Sequence, residues 1–274
     1  MAGIELSSRH SRFGGYSGLV VDDGGSRLLA VSDLGHWLVA RLVRDDAGKI
    51  RGLAGPELHP ILDRNGNPFT VKRAGDAEAL EALPDGSFLV AFEQVHRIAR
   101  YAGPEPWRSR GEPQVGPSDL ARQQTNGGIE TAARLPDGRL VLISETEERS
   151  PDVLKVWIGA GGAWRDAYYR RAGDYRPVDA KALPNGDLLV LERAFNLLGG
   201  FASRLVRITA SEIRPGALLD GREIAEIAPP LTSDNFEGLA VETAPGGGTF
   251  VYLISDDNRV SLQRTLLLQF RLIP

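Results

Sequence analysis

One hairpin-forming pattern occurs five times in the sequence, and this repetition constrains the fold more than any other feature. In three copies, two apolar strands flank a turn of Pro, Asp or Asn, and Gly; these copies span residues 78–93, 130–145 and 179–193. Two looser copies span residues 17–33 and 237–256. Because proline presets the first turn position and glycine accepts positive φ, each copy predicts a β-hairpin.

The spacing of the copies indicates a β-propeller. The turn glycines Gly86, Gly138 and Gly186 follow one another at intervals of 52 and 48 residues, close to the roughly 40 to 50 residues of a four-stranded propeller blade. A third strand is expected after each hairpin, at residues 37–43, 97–101, 153–158, 204–208 and 265–272. A fourth strand is expected at residues 50–53, 113–115, 164–169 and 223–227.

The last copy is followed by too little sequence for a fourth strand, since the chain ends at Pro274. We expect residues 4–8 to supply that strand and to close the ring, which removes exposed sheet edges. The prediction is therefore an all-β fold, a single propeller domain over residues 1–274 with five blades. Six blades are the alternative, because residues 209–234 are long enough to hold a further hairpin.

Composition excludes several classes of function. The net charge is −4 with 25% charged residues, so there is no basic excess of the kind that binds nucleic acid. The chain has no cysteine, which excludes disulfides and thiolate chemistry. No apolar run reaches the roughly 20 residues that a membrane helix needs. We expect a monomer that is periplasmic or secreted if a leader has been removed, and cytoplasmic otherwise.

The ends of the predicted hairpins carry a run of acidic residues. The first strand of a propeller blade lines the channel and the second runs back beside it, so both ends meet at the mouth opposite the turn. The first-strand starts are Ser17, Glu78, Glu130, Asp179 and Glu237, and the second-strand ends are Asp33, Glu93, Glu145, Glu192 and Asp256. Nine of these ten residues are carboxylates, which predicts an acidic channel mouth.

An acidic mouth of this kind favours a bound cation. Carboxylates at close range repel one another unless something neutralises them, and calcium accepts roughly six to eight oxygen ligands in irregular geometry. We predict a calcium site with the ligands Glu78, Glu130, Asp179, Glu237, Asp33 and Asp256. The alternative is structural: repeated acids can accept backbone N–H bonds between neighbouring blades, and the second-strand ends suit this role well.

Other polar residues complete a candidate active site. The candidate catalytic residues are His36, Glu145 and Lys181, and the candidate substrate-binding residues are Arg193, Arg264, Asn126 and Asn235. Lys181 lies on the same strand face as Asp179, so the two are expected to pair. The sequence has no HExxH, GxSxG or P-loop motif, which argues against a zinc protease, a serine hydrolase of that type and a P-loop NTPase.

Three segments carry a resemblance to a known family: FGGYSGL at residues 13–19, GGIETAARLPDG at residues 127–138, and NFEGLAV…VYLISDDN…QRTLLLQFRL within residues 235–272. They resemble the phytase-like family, described by esterase-like activity of phytase. The resemblance implies a β-propeller that hydrolyses a small ester or phosphoester, with calcium as a cofactor, and many exported members. It marks Glu237, Asp256, Asp257 and Asn258 as site residues.

The leading hypothesis is therefore a calcium-assisted phosphoesterase or esterase that acts at the channel mouth on a small-molecule substrate. Two other functions stay open. A non-catalytic propeller could bind a ligand or a protein at the same mouth, which the lack of a complete nucleophile–base set favours. A calcium-dependent lactonase would use a carboxylate-lined channel in a similar way.

Overall fold

The computed structural model describes residues 1–22, 24–125, 127–196, 199–244 and 247–273, whose strands form five sheets, antiparallel except for one parallel pair. In chain order the strands are β1 (Ala2–Leu6); β2 (Tyr16–Asp22), β3 (Arg27–Ser32), β4 (His36–Arg44) and β5 (Ile50–Pro60) in blade 1; β6 (Ala77–Ala82), β7 (Phe88–Phe92), β8 (Arg97–Tyr101) and β9 (Glu112–Gln114) in blade 2; β10 (Ile129–Arg134), β11 (Leu140–Ser150), β12 (Val153–Ala160) and β13 (Ala163–Arg170) in blade 3; β14 (Arg176–Ala182), β15 (Leu188–Asn196) and β16 (Gly200–Ile208) in blade 4; β17 (Leu218–Leu219) and β18 (Arg222–Ile227), which extend blades 3 and 4; and β19 (Phe236–Thr243), β20 (Thr249–Ser255) and β21 (Thr265–Leu272) in blade 5.

The five innermost strands contact one another in a closed circle, β2 to β6 to β10 to β14 to β19 and back to β2. This arrangement confirms the predicted five-bladed propeller. Helical structure in the described ranges is limited to α1 (Lys72–Gly75) and three 3₁₀ turns at Pro106–Arg108, Leu120–Arg122 and Ala210–Glu212. Among the described residues, no helix is long and apolar enough to cross a membrane.

The ring is closed by the N-terminal strand. Strand β1 pairs antiparallel with β21, from Ala2 opposite Gln269 to Leu6 opposite Thr265. The closing strand therefore lies two residues earlier than the predicted span of 4–8. It forms the outer edge of blade 5 and provides the fourth strand that this blade lacks.

Residues 209–234 do not build a sixth blade. Their first strand, β17, pairs in parallel with β13 at the outer edge of blade 3, where Leu218 lies opposite Tyr168. Their second strand, β18, pairs with β16 and completes blade 4. These residues thus add outer strands to blades 3 and 4, and the described residues form five sheets only.

Apolar residues on opposite faces of each blade pack against the two neighbouring blades. Strand β15 illustrates the rule, because side chains alternate between the faces of a strand. Leu188 and Val190 belong to the core cluster shared with blade 3, whereas Leu189 and Leu191 belong to the cluster shared with blade 5. The same alternation decides which polar side chains reach the channel mouth beyond the end of this core.

Each inner strand has an irregular register at its first residues. The shifts fall between Tyr16 and Gly18, Ala77 and Ala79, Ile129 and Thr131, Pro177 and Asp179, and Phe236 and Gly238. In each case one residue is left without a direct partner on the next strand, as in a β-bulge, which re-aims a side chain. The bulged residues are Ser17, Glu78, Glu130, Val178 and Glu237.

Candidate functional site

The bulged residues define an inner ring at one mouth of the channel, and a second ring lies just outside it. In four blades the outer residue donates its backbone N–H to the residue that precedes the bulged strand; these outer residues are Asp33, Glu93, Glu145 and Asp256. In blade 4 the equivalent outer position is Arg193, which lies opposite Arg176. The inner ring thus contains three glutamates, and the outer ring contains four acids and one arginine.

Blade 4 departs from the positions that the sequence repeat predicts. The inner position holds Val178, and Asp179 is one residue further along the strand. The carboxylate of Asp179 accepts hydrogen bonds from Lys181 Nζ at 2.8 Å and from the backbone N–H of Leu239, in blade 5, at 2.7 Å. Asp179 is therefore occupied by contacts between blades and does not join the inner glutamates.

Glu192 shows the same one-residue offset. It lies opposite Pro177 within the β14–β15 pair, whereas the outer-ring position belongs to Arg193. Its fully buried carboxylate accepts hydrogen bonds from the Tyr169 hydroxyl, at 2.9 Å, and from the Arg204 guanidinium. Glu192 thus has a structural role between blades 4 and 3, but through side-chain donors rather than the backbone N–H groups named in the alternative for the second-strand ends.

Three buried carboxylates at blade 2 form the tightest acidic cluster in the described residues. Asp76, Glu78 and Glu93 each present an oxygen within 4.8 Å of the others. Glu78 comes from the inner ring, Glu93 from the outer ring, and Asp76 directly precedes the bulged strand. Asp76 was not among the residues predicted from the sequence, although its position two residues before Glu78, at the start of a predicted strand, was a usable signal.

This cluster fits a calcium ion by the state of its oxygens. Asp76 Oδ1 is buried and accepts no hydrogen bond, while its other oxygen accepts one from the Gln94 amide. Glu93 Oε1 accepts from the backbone N–H groups of Gly127 and Gly128, the latter at 3.2 Å. No described residue donates a hydrogen bond to the side chain of Glu78. Calcium binds hard oxygen ligands of this kind, and at Asp76 Oδ1 it would compete with the Lys72 ammonium, which lies 3.4 Å away.

The inner glutamates cannot all hold a negative charge easily. Burial raises the pKa of Glu78 well above its ordinary value, and the nearby charges of Glu130, Asp76 and Glu237 raise it further. Burial, together with Glu145, Glu93 and Glu237, raises the pKa of Glu130 in the same way. A protein site with these pKa shifts gains from either protons or a metal cation.

The pKa values of two outer-ring acids are raised as well. Burial raises the pKa of Asp256 to about 8, with a further contribution from Glu237 and Asp33. Burial is also the main cause of the raised pKa of Asp33, which the nearby Lys72 ammonium partly offsets. The acidic mouth predicted from sequence is therefore one electrostatic unit that spans blades 1, 2, 3 and 5.

Two cationic side chains, Arg193 and Lys72, form ion pairs with the acids of this mouth. Arg193 donates from Nη1 to Glu237 Oε1 at 2.5 Å and to Asn235 Oδ1 at 2.6 Å, and its Nη2 lies 3.7 Å from Glu145 Oε1. Asn235 in turn donates from Nδ2 to Glu237 Oε1 at 2.9 Å. On the opposite side, Lys72 Nζ bonds to Asp33 and lies 3.4 Å from Asp76 Oδ1.

The remaining predicted site residues lie away from the acidic cluster. The His36 ring contacts the Leu34 carbonyl through Nδ1 at 2.9 Å, and burial lowers its pKa, with Arg12 and His10 as neighbouring charges. Arg264 Nε lies 3.6 Å from Asp234. Asn126 falls outside the described residues.

Lys181 lies deeper in the channel. Its Nζ is 2.8 Å from Asp179 Oδ1 and 3.6 Å from Glu81 Oε2. Lys181 and Glu81 line a cavity of about 120 Å³ that includes residues from the turn side of β2, β6, β14 and β19. The predicted pairing with Asp179 is present, and it occupies the channel on the far side of the acidic rings.

The fold and the site define a β-propeller with a cluster of buried carboxylates at one channel mouth. Over residues 11–259 the chain matches the phytase-like family, described as "Esterase-like activity of phytase". The chain belongs to this family, which confirms the resemblance carried by its opening, internal and closing segments.

Solved structures resemble the chain in fold. A calcium-binding protein, regucalcin, from Agrobacterium tumefaciens is 13% identical over 96% of this chain and 78% of its own, with a TM-score of 0.46. An oxidoreductase described as a glucose dehydrogenase, from Thermus thermophilus, is 14% identical over 97% of this chain and 99% of its own, with a TM-score of 0.43. No curated protein sequence matches the chain.

Proposed function

We propose that the chain is a calcium-assisted hydrolase of small ester or phosphoester molecules, which bind at the acidic mouth. Membership of the phytase-like family supports ester hydrolysis. The single observation that carries the metal part is the cluster of Asp76, Glu78 and Glu93 within 4.8 Å, in which Asp76 Oδ1 is buried and accepts no hydrogen bond.

Asp76, Glu78 and Glu93 are the proposed calcium ligands, with Glu130 and Asp33 beside them. Calcium, when bound, would polarise the carbonyl or phosphoryl oxygen of the substrate and offset the negative charge of a phosphate. The chain itself supplies the orientation of the ligands: the Gly127 and Gly128 amides hold one oxygen of Glu93, and Gln94 holds one oxygen of Asp76.

Proton transfer is assigned to the glutamates on the blade 3 side. Hydrolysis forms a bond from a water oxygen to carbon or phosphorus and breaks the bond to the alcohol oxygen, which takes up a proton. Glu130 and Glu145 both have raised pKa values because they are buried, with further contributions from neighbouring charges. In its ionised form, which a bound cation would favour, such a glutamate accepts a proton from the attacking water, and in its protonated form it gives that proton to the leaving alcohol oxygen.

Arg193 is assigned to the substrate rather than to the metal. It lies between Glu145 and Glu237, and Asn235 fixes its position through Oδ1. A guanidinium in this place attracts an anionic group of the substrate, for which it is geometrically suited. Asn235 then acts by positioning Arg193 and Glu237, since both ends of its amide are engaged with them.

The test combines metal content with turnover. Purified protein is analysed for bound calcium and assayed with p-nitrophenyl phosphate and p-nitrophenyl acetate, with and without EDTA. Glu78→Gln is compared with Asp137→Asn, which alters an exposed turn at the opposite face. We expect Glu78→Gln to lose calcium and turnover and Asp137→Asn to keep both.

Three other results would exclude this proposal or favour a different function. Absence of bound calcium, of a thermal shift on adding it and of turnover would exclude the proposal. Calcium binding without hydrolysis of any ester would support a ligand-binding propeller. Hydrolysis of a sugar lactone but of neither ester would support the lactonase.

A further inference from the structure

The β15–β16 hairpin of blade 4 projects beyond the acidic mouth. Strands β3, β7 and β20 end at Ser32, Phe92 and Ser255, one residue before the outer ring. Strand β15 instead continues through the outer-ring residue Arg193 to Asn196 and pairs with β16 over its whole length. Blade 4 therefore carries backbone above the site where three other blades have already turned away.

Strand alternation places Phe195 above Arg193 on one face of this hairpin. The pairing of β15 with β16 has no register shift from Leu188 to Asn196, so residues two apart share a face. Leu189 and Leu191 pack toward blade 5, and Arg193 on the same face reaches Glu237 of blade 5. Phe195 is the next residue on that face, about 7 Å further out along the strand.

The Phe195 side chain is exposed to solvent near the end of this hairpin. It is 55% exposed and lies opposite Phe201, with ring centroids 4.8 Å apart and an interplanar angle of 50°. This cross-strand contact fixes the ring direction while leaving much of its surface in water. The two rings thus form an exposed aromatic surface two residues along the strand from Arg193, and an aromatic face of this kind can stack on another ring.

We propose that Phe195 and Phe201 form a platform for an aromatic ring of the substrate. The proposal rests on the proposed function, because it assigns the ring to the same molecule whose ester or phosphate group faces Arg193 and the carboxylate cluster. The substrate class is thus an ester in which an aromatic ring adjoins the anionic or acyl group. Ring stacking would favour such a substrate over an otherwise equal aliphatic one.

Non-hydrolysable probes test this without relying on turnover. Phenylphosphonate and methylphosphonate share a head group, and their affinities are measured by titration calorimetry with calcium present. We expect the phenyl compound to bind about threefold to tenfold more tightly. Phe195→Ala should abolish that preference and Phe195→Trp should keep it. Leu262→Ala, at a fully exposed residue of the β20–β21 loop in blade 5, should leave it unchanged.

Equal affinities in the unmodified protein, or a preference that survives Phe195→Ala, would overturn the platform, as would binding of neither probe. Failure of the platform is separable from failure of the hydrolase. Calcium-dependent turnover without a phenyl preference removes only the platform. A Phe195-dependent phenyl preference without turnover removes only the hydrolase.

Discussion

Arg193 of blade 4 donates a hydrogen bond to Glu237 of blade 5 over 2.5 Å, and this contact links the two blades at the acidic mouth. Both side chains are largely buried, with 23% of Arg193 and 12% of Glu237 exposed. Breaking a buried pair from one side leaves the other charge without compensation. The contact therefore serves the stability of the fold as well as the site.

Arg193→Met should lower the free energy of unfolding by about 3–5 kcal/mol, because it leaves Glu237 buried and unpaired. The double variant Arg193→Met with Glu237→Gln should recover a substantial part of this loss. Urea denaturation of the metal-free protein measures both. A double variant as unstable as the sum of the two single variants would show that the pair is not coupled.

Stability of the metal-free protein should fall as the pH rises. Asp256 has an ordinary pKa of 3.8 that burial raises to about 8, and the pKa values of Glu78 and Glu130 are shifted upward too. Carboxyl groups raised in the folded state stabilise it below their unfolded pKa, and this stabilisation is lost as the pH passes the folded pKa. The expected loss therefore lies between the ordinary pKa and about pH 8.

Calcium should weaken this pH dependence and bind more tightly at higher pH, because the ligands must release their protons to bind it. Thermal unfolding between pH 5 and pH 8, with EDTA or with calcium, measures both effects. A melting temperature that rises with pH in EDTA would contradict the conclusion that burial raises the pKa values of these carboxyl groups.

Gly128→Ala should disturb the loop that holds Glu93. A Cβ atom at Gly128 would overlap the His96 ring, and the backbone N–H of Gly128 donates to Glu93 Oε1 at 3.2 Å. We expect weaker calcium binding, and partial recovery in Gly128→Ala with His96→Ala, since the smaller side chain removes the overlap. Calcium titration of the two variants compares them directly. Equal weakening in both would exclude His96 as the cause.

Lys181→Met should destabilise the fold by about 3–5 kcal/mol, because it leaves the buried carboxylate of Asp179 without its ammonium partner. Replacing Asp179 by Asn in the same chain should restore most of the loss. Since this pair lies below the acidic rings, the double variant should keep calcium binding. Loss of calcium binding in a folded double variant would indicate that Asp179 is a calcium ligand, as the sequence predicted.

The fold was accessible from the sequence because local signals repeat. Turn triplets such as Pro84-Asp85-Gly86 set each hairpin locally, and their spacing counts the blades. The closure by β1 also followed from an unpaired edge. Residues 209–234 were ambiguous because the short strand β17 joins blade 3 across the intervening blade 4 strands, and such a distant pairing has no local pattern.

The site was less accessible because a bulge changes which residue faces the channel. Aligning the repeats by their acids matched Asp179 with Glu78, whereas strand pairing matches Val178. A one-residue offset transfers a side chain to the other face of a strand. Because of the same offset, Arg193 occupies the outer-ring position for which the sequence predicted Glu192. The sequence pattern therefore overstated the number of acids at the mouth.

Blade 4 also gives the ring of blades a direction. Five equivalent carboxylates around an axis would offer a ligand five equal orientations, and rotation among them would cost nothing. With Val178 and Arg193 in blade 4 and the oxygen cluster of Asp76, Glu78 and Glu93 beside Lys72 in blade 2, the opening differs from one side to the other. A polar ligand at this opening would therefore have one preferred orientation, which five identical blades could not impose.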